Sequence, residues 1–164
     1  MFESNGITTK TISLGSADIK FCVGCKSCYQ TGKCIHNDGM IEIIECIFDS
    51  DIILIASPSY WGDVTAQMKQ FIDRCTPYCD TNENCLPLLK GKHGAAVVIR
   101  AGQNKKENEK LLSTIEHFLG HLKIPLQYRF TAEGIDTEDD LVKNPVVMER
   151  AKNFADEIVK SIIK

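Results

Sequence analysis

The chain has no surplus of positive charge: 19 Lys and Arg stand against 22 Asp and Glu, for a net charge of -3 and a sequence pI near 5.8. Such a surface has no excess cations to neutralise a phosphate backbone or an anionic bilayer, so neither nucleic acid nor membrane is an expected partner. Long apolar runs are missing too. No window approaches the ~18 apolar residues of a membrane span, and the opening Met1 to Leu14 lacks the charged segment and apolar stretch of a secretory leader. A cytoplasmic protein is expected. No repeat, low-complexity tract or linker interrupts the 164 residues, and a 43% hydrophobic content suits one core. A single domain over residues 1–164 follows.

Cysteine, by contrast, is abundant: there are eight, four of them between Cys22 and Cys34. In a reducing compartment such a cluster points to metal ligands or redox thiols before structural disulfides. The spacing Cys22-x2-Cys25-x2-Cys28-x5-Cys34 can place four thiolates around one cuboidal [4Fe-4S] cluster, the fourth arriving after a turn at Gly32. Isoleucine rather than proline follows Cys34, and only one such set exists, which favours a single self-contained site over the paired arrangement of bacterial ferredoxins. Four thiolates also bind structural zinc, although zinc sites more often separate two cysteine pairs by a longer span. Cluster, zinc and a metal-free loop stay open at this point.

The β-branched segment Ile7–Leu14, bounded by Gly6 and Gly15, reads as a short strand. Met40, Ile43, Ile44 and Ile47 recur at helical spacing up to Asp49, before the continuous apolar run Asp51–Ala56, a buried parallel strand. Met68, Phe71 and Ile72 mark a second helix beginning near Thr65. A long connection through Pro77 and Pro87 leads to a strand over Gly94–Ile99. A helix ending near Leu122, a strand around Leu126–Phe130 and a closing helix from about Pro145 complete the pattern. Strands alternating with helices imply an α/β fold, a parallel sheet with helices on both faces.

Ligands of open α/β sheets bind beyond the carboxyl ends of the strands, here just after Ala56 and Ile99. Ser57-Pro58-Ser59-Tyr60-Trp61-Gly62 supplies hydroxyls, adjacent aromatics and a permissive glycine directly before a helix, chemistry suited to a planar heterocycle. The run Ser57–Arg74 resembles the flavin-contacting loop and following helix of the NADPH-dependent FMN reductase family. The cysteine motif is similar to that of the iron-sulfur flavoproteins, also of the flavodoxin-like superfamily. This resemblance implies a three-layer, doubly wound sheet, with FMN held by Ser57, Pro58, Ser59, Tyr60, Trp61 and Gly62 and by a second loop at Arg100, Ala101 and Gly102. It implies a [4Fe-4S] cluster on Cys22, Cys25, Cys28 and Cys34. NAD(P)H or a ferredoxin-like carrier would then be the redox partner.

The sequence departs from that superfamily at its start. The usual first strand and its phosphate-binding loop are absent, which leads to the expectation of a shortened chain, of closure by a partner in a homo-oligomer, or of a degenerate relative. Three functions therefore stand: an electron-transfer flavoprotein with a cluster, an FMN reductase without one, and a non-enzymatic binding module that kept only the fold. Among other candidates, Cys75, Cys79 and Cys85 have spacings that could serve a second metal or a disulfide, or are incidental thiols. Cys46 reads as core. His117 and His121 share a helix face, most simply at the surface, Lys105 and Lys106 read as an exposed helix start or a phosphate attractor, and Asp136–Asp140 as a solvated turn.

Overall fold

The computed structural model describes residues 2–84 and 91–162. Three parallel strands form one sheet in the order β1-β2-β3: β1 (Ile52–Pro58), β2 (His93–Arg100) and β3 (Leu126–Glu133). Ile52 pairs with His93 and Pro58 with Ile99, while Ala96 pairs with Arg129. Both apolar runs expected to be strands are strands, each extended by one or two residues beyond the apolar stretch. The expectation of an α/β parallel sheet is met.

The helices are α1 (Ser27–Thr31), α2 (Met40–Asp49), α3 (Ala66–Arg74), α4 (Lys105–His121), α5 (Glu138–Val142) and α6 (Pro145–Ile162). Successive residues of a strand face opposite sides, and the packing follows that alternation. Ile55, Ala96 and Val98 face a core built with Met40, Ile43, Ile44 and Ile47 of α2, Met68 and Phe71 of α3, and Leu111, Ile115 and Phe118 of α4. Phe71 and Phe118 meet edge to face at 5.7 Å. On the other side Ala95, Val97, Ile99, Tyr128 and Phe130 pack against Phe154 and Ile158 of α6. The layers are helix, sheet, helix. Over β1 that second layer thins, and Leu54 is 42% exposed.

The segment Ile7–Leu14 is not a strand. Its β-branched side chains favour extended backbone, but a strand needs a neighbour to exchange hydrogen bonds with, and among the described residues β1 pairs only with β2. Ile12 and Leu14 instead lean on the core beside α2. Asp136–Asp140 is also more ordered than a turn: Thr137 and Asp140 form a reciprocal capping box that starts α5. No helix among the described residues is long and apolar enough to cross a membrane.

Candidate functional site: a cysteine cavity and a strand-end loop joined by one helix

At the carboxyl end of β1 the chain passes straight into a tight turn. The Tyr60 N–H donates to the Asp63 carbonyl and the Asp63 N–H to the Tyr60 carbonyl, both at 3.0 Å. Trp61 and Gly62 occupy the corner with φ of 56° and 71°. Two successive left-handed residues are the signature of a type I′ turn, where glycine and asparagine are preferred and a tryptophan costs backbone strain. The indole gains no burial in return, being fully exposed, and Tyr60 is 61% exposed. Asp63 then receives the Val64 N–H on Oδ1 at 2.8 Å, and Thr65 caps α3 by accepting the Met68 N–H on Oγ1 at 3.2 Å.

The loops after β1 and β2 are brought together. The Ser59 N–H donates to the Ile99 carbonyl at 2.8 Å. Arg100, the last residue of β2, donates from Nη1 to the Asn104 carbonyl and pairs with Glu107, each at 2.7 Å. The Glu107 side chain in turn lies against Gly62, where an added Cβ would meet its Cγ at 3.5 Å. Arg100 Nε is buried without a partner, an unspent donor beside the turn. Ala101 and Gly102 follow it, Gly102 so close that a Cβ would collide with the guanidinium. Ser57 differs from its neighbours: it is buried, and its hydroxyl donates to the Pro58 carbonyl at 3.0 Å. In the first loop of the expected flavin set Pro58, Ser59, Tyr60 and Trp61 are accessible while Ser57 and Gly62 are buried, and in the second Ala101 is exposed.

The four motif cysteines line one cavity of about 190 Å³, with Tyr29, His36, Arg74 and Pro77 among the other walls. Cys22 and Cys25 are exposed; Cys28 and Cys34 are partly buried. Short α1 carries Cys28, and Gly32 ends it in the left-handed conformation with its N–H on the Cys28 carbonyl at 2.9 Å. Burial pushes the Cys28 thiol above its ordinary pKa, and the charges of Cys34, Cys22 and Cys25 push it further. Among the described residues no three His, Cys, Asp or Glu side chains are grouped tightly enough to hold a metal ion. The four cysteines thus share the lining of one cavity without forming a metal-holding group among the described residues.

The cavity is held by residues that carry no metal-ligand signature in the sequence. Arg74 at the end of α3 and Asp38 form an ion pair at 2.7 Å with both side chains 1% exposed. The Arg74 hydrogen bonds hold the Asp38 carboxyl far below the usual carboxylate range, against its burial, and the Lys20 and Met40 N–H groups lower it further. Asn82, also buried, donates from Nδ2 to the carbonyls of Cys28 and Pro77 at 3.1 and 3.2 Å. Asn84 donates to the Tyr29 carbonyl, and Tyr29 Oη lies 3.9 Å from Cys79 Sγ. The segment after α3 thus clamps α1 from outside.

Of the other candidates, Cys75 is buried, which pushes its thiol up, while Cys79 is partly exposed. Cys85 lies outside the described residues, as does Pro87. Cys46 is partly exposed on α2, where its carbonyl accepts the Ser50 hydroxyl. His117 and His121 stack edge to face at 4.7 Å, and His121 Nδ1 pairs with Asp80 at 2.8 Å. No metal-holding group forms there among the described residues. Lys105 and Lys106 open α4 and are exposed.

The sequence profile of the NADPH-dependent FMN reductases matches residues 1–131. The chain belongs to this family. It is 31% identical to an iron-sulfur flavoprotein of Methanocaldococcus jannaschii, over 97% of this chain and 84% of the relative. An iron-sulfur flavoprotein of Archaeoglobus fulgidus is 40% identical over 105 residues; there the match takes in 64% of this chain and spans about half, 46%, of the relative. The fold is that of an azoreductase from Bacillus anthracis, at a TM-score of 0.67 and 13% identity over 97% of this chain and 86% of that one. An FMN-dependent NADH-azoreductase from the same species, solved in complex with FMN, overlays with a TM-score of 0.63 at 13% identity, covering 93% and 80%. Family membership carries the flavodoxin-like architecture with it, and makes FMN the family's cofactor and a nicotinamide nucleotide its expected reductant.

Proposed function

We propose that this chain is an electron-transfer flavoprotein that carries one [4Fe-4S] cluster on Cys22, Cys25, Cys28 and Cys34 and binds FMN at the loop Pro58–Gly62 with the Arg100–Gly102 turn. The observation that supports it is the sharing of one cavity by all four cysteines. A single zinc ion needs four sulfurs at ~2.3 Å from one centre. A cuboidal cluster attaches each cysteine to a different iron and so needs room between them. The names of the curated relatives point the same way.

The residues present suit the cluster and the ring end of FMN; none of those named replaces the missing phosphate-binding loop. For the cluster, Arg74 Nε is a buried donor without a hydrogen-bond partner in the cavity lining, and His36 Nε2 is a buried ring nitrogen without one beside it. For FMN, the exposed Trp61 and Tyr60 can cover a flat ring from the solvent side, and Arg100 Nε is an unspent donor at the strand ends. When bound, the flavin accepts a hydride or single electrons at N5 and the cluster exchanges single electrons. The protein's part is placement. The type I′ turn fixes the aromatic pair, Ser59 ties the turn to β2, and Thr65 starts α3 directly behind it. Nine residues of α3 span about 13 Å, so the helix that starts at the flavin loop ends, at Arg74, in the wall of the cysteine cavity. With both groups bound, a small ferredoxin-like carrier would be a natural partner on the cysteine side and NAD(P)H one on the flavin side.

The test is reconstitution. Anaerobically prepared protein is expected to quench FMN fluorescence on binding and to oxidise NADH or NADPH with bound FMN as acceptor. Absence of FMN uptake would remove the flavoprotein reading and leave the binding-module alternative.

A further inference from the structure

Arg74 is placed to do more than neutralise Asp38. Its Nη1 donates to the Lys20 carbonyl and to Asp38 Oδ2, both at 2.7 Å, and its Nη2 to Asp38 Oδ1 at 3.1 Å. Lys20 lies two residues before Cys22 and Asp38 four after Cys34, so one guanidinium closes both ends of the cysteine loop. The Lys20 N–H returns a bond to Asp38 Oδ2 at 2.9 Å, locking the same closure. These bonds use three of the five guanidinium N–H groups, and Nε is one of the donors left over. It is buried, has no partner, and belongs to a side chain that lines the cavity with all four motif cysteines.

We infer that the Arg74 Nε–H donates to a sulfur of the cluster site, the Cys34 side or an adjoining sulfide, so that Arg74 is a positioning residue that sets the cluster's reduction potential and protects it from loss. This rests on the cluster reading above. A buried donor without an acceptor is costly to leave unmade, and sulfur is the acceptor that four cysteines and their cluster would supply. Because Asp38 cancels the charge of Arg74, what reaches the sulfur is a directed N–H group and not a net cation. Hydrogen bonds to cluster sulfurs and local net charge are the levers that move such potentials. Here the first acts nearly alone. Arg74 also ends the helix that begins behind the flavin loop, which couples the cluster's position to that loop through a rigid element.

Lysine separates these roles. Arg74→Lys keeps the charge facing Asp38 but has no planar fork and no Nε donor. It is expected to fold, to bind iron and sulfide at the wild-type level, and to show a lower cluster midpoint potential in an EPR-monitored redox titration, with faster loss of iron to a chelator. Should the lysine variant fail to fold, the double variant Asp38→Asn/Arg74→Gln replaces the ion pair by a neutral hydrogen-bonded pair, again without Nε, and the same lowered potential is expected. A potential and chelator resistance equal to wild type in either folded variant overturns the inference while leaving the cluster in place. A wild-type protein that takes up no iron and sulfide overturns the cluster reading itself, and the assignment to Arg74 with it.

Discussion

Trp61 should make the protein less stable than it need be, and its replacement by asparagine should expose the trade. Its φ of 56° puts a bulky residue in the left-handed region, which costs an L-residue about 1–2 kcal/mol. Full exposure means that no burial offsets this. Asparagine tolerates the conformation without the extra unfolded-state entropy of glycine, so Trp61→Asn should raise stability by about 1 kcal/mol. For a domain of this size that is roughly 2–4 °C in Tm. The same change removes the aromatic face proposed to cover FMN, and losing a stacking partner costs about 1–3 kcal/mol, or roughly 5- to 150-fold in Kd. Thermal unfolding of the FMN-free protein and fluorescence titration with FMN measure the two effects separately. Trp61→Ala is the control: it should lose affinity equally and gain little stability, because the left-handed cost of a side chain stays. A destabilised Trp61→Asn would refute the strain argument, and an unchanged FMN Kd would refute the stacking.

Other consequences are smaller in scope. Gly32→Ala should destabilise the protein by at least about 1–2 kcal/mol, from the left-handed backbone alone, because an added Cβ would also lie 2.9 Å from the Asn84 carbonyl oxygen; urea unfolding reads the loss, and a neutral result would show that the clamp on α1 is loose. Asp38 has a folded pKa below its unfolded value, so its contribution to stability is complete above the unfolded pKa of ~3.9 and is lost as pH falls further toward the folded value. Acid unfolding of the Asp38→Asn protein should accordingly be less steep below pH ~4 than that of wild type, and parallel curves would contradict the pairing. Thr65→Ala removes the α3 cap and should cost about 1 kcal/mol, measurable by chemical denaturation, with FMN affinity falling as the turn behind it loosens.

The parts of the fold that were legible in the sequence are those where one segment carries its own explanation. Gly94–Ile99 is apolar on both faces because helices cover both, the apolar run to Ala56 reads as a strand although Leu54 and Ala56 stay exposed on its second face, and α2 and α3 declare themselves by apolar spacing. Ile7–Leu14 misled because β-branched composition reports a preference for extended backbone and says nothing of a pairing partner. The turn at Tyr60–Asp63 was legible as a loop but not as a type I′ turn, since tryptophan is a poor candidate for its left-handed corner. Arg74 and Asp38 lie 36 residues apart in the chain, and no local pattern links a helix-terminal arginine to the residue that closes a cysteine loop. His36 was invisible for a related reason, as a lone histidine acquires meaning only when its ring nitrogen is seen buried without a partner. The cysteines themselves were legible because ligand spacing is a property of sequence, whereas the walls around them are a property of packing.

What fills the cavity lined by Cys22, Cys25, Cys28 and Cys34 decides the chemistry of the protein. The most direct measurement is the iron, acid-labile sulfide and zinc content of anaerobically purified protein, wild type beside Cys25→Ser. Four irons and four sulfides per chain, both falling sharply in the variant, are the predicted result. A colourless wild-type protein with one zinc per chain, or iron retained unchanged by Cys25→Ser, would contradict it.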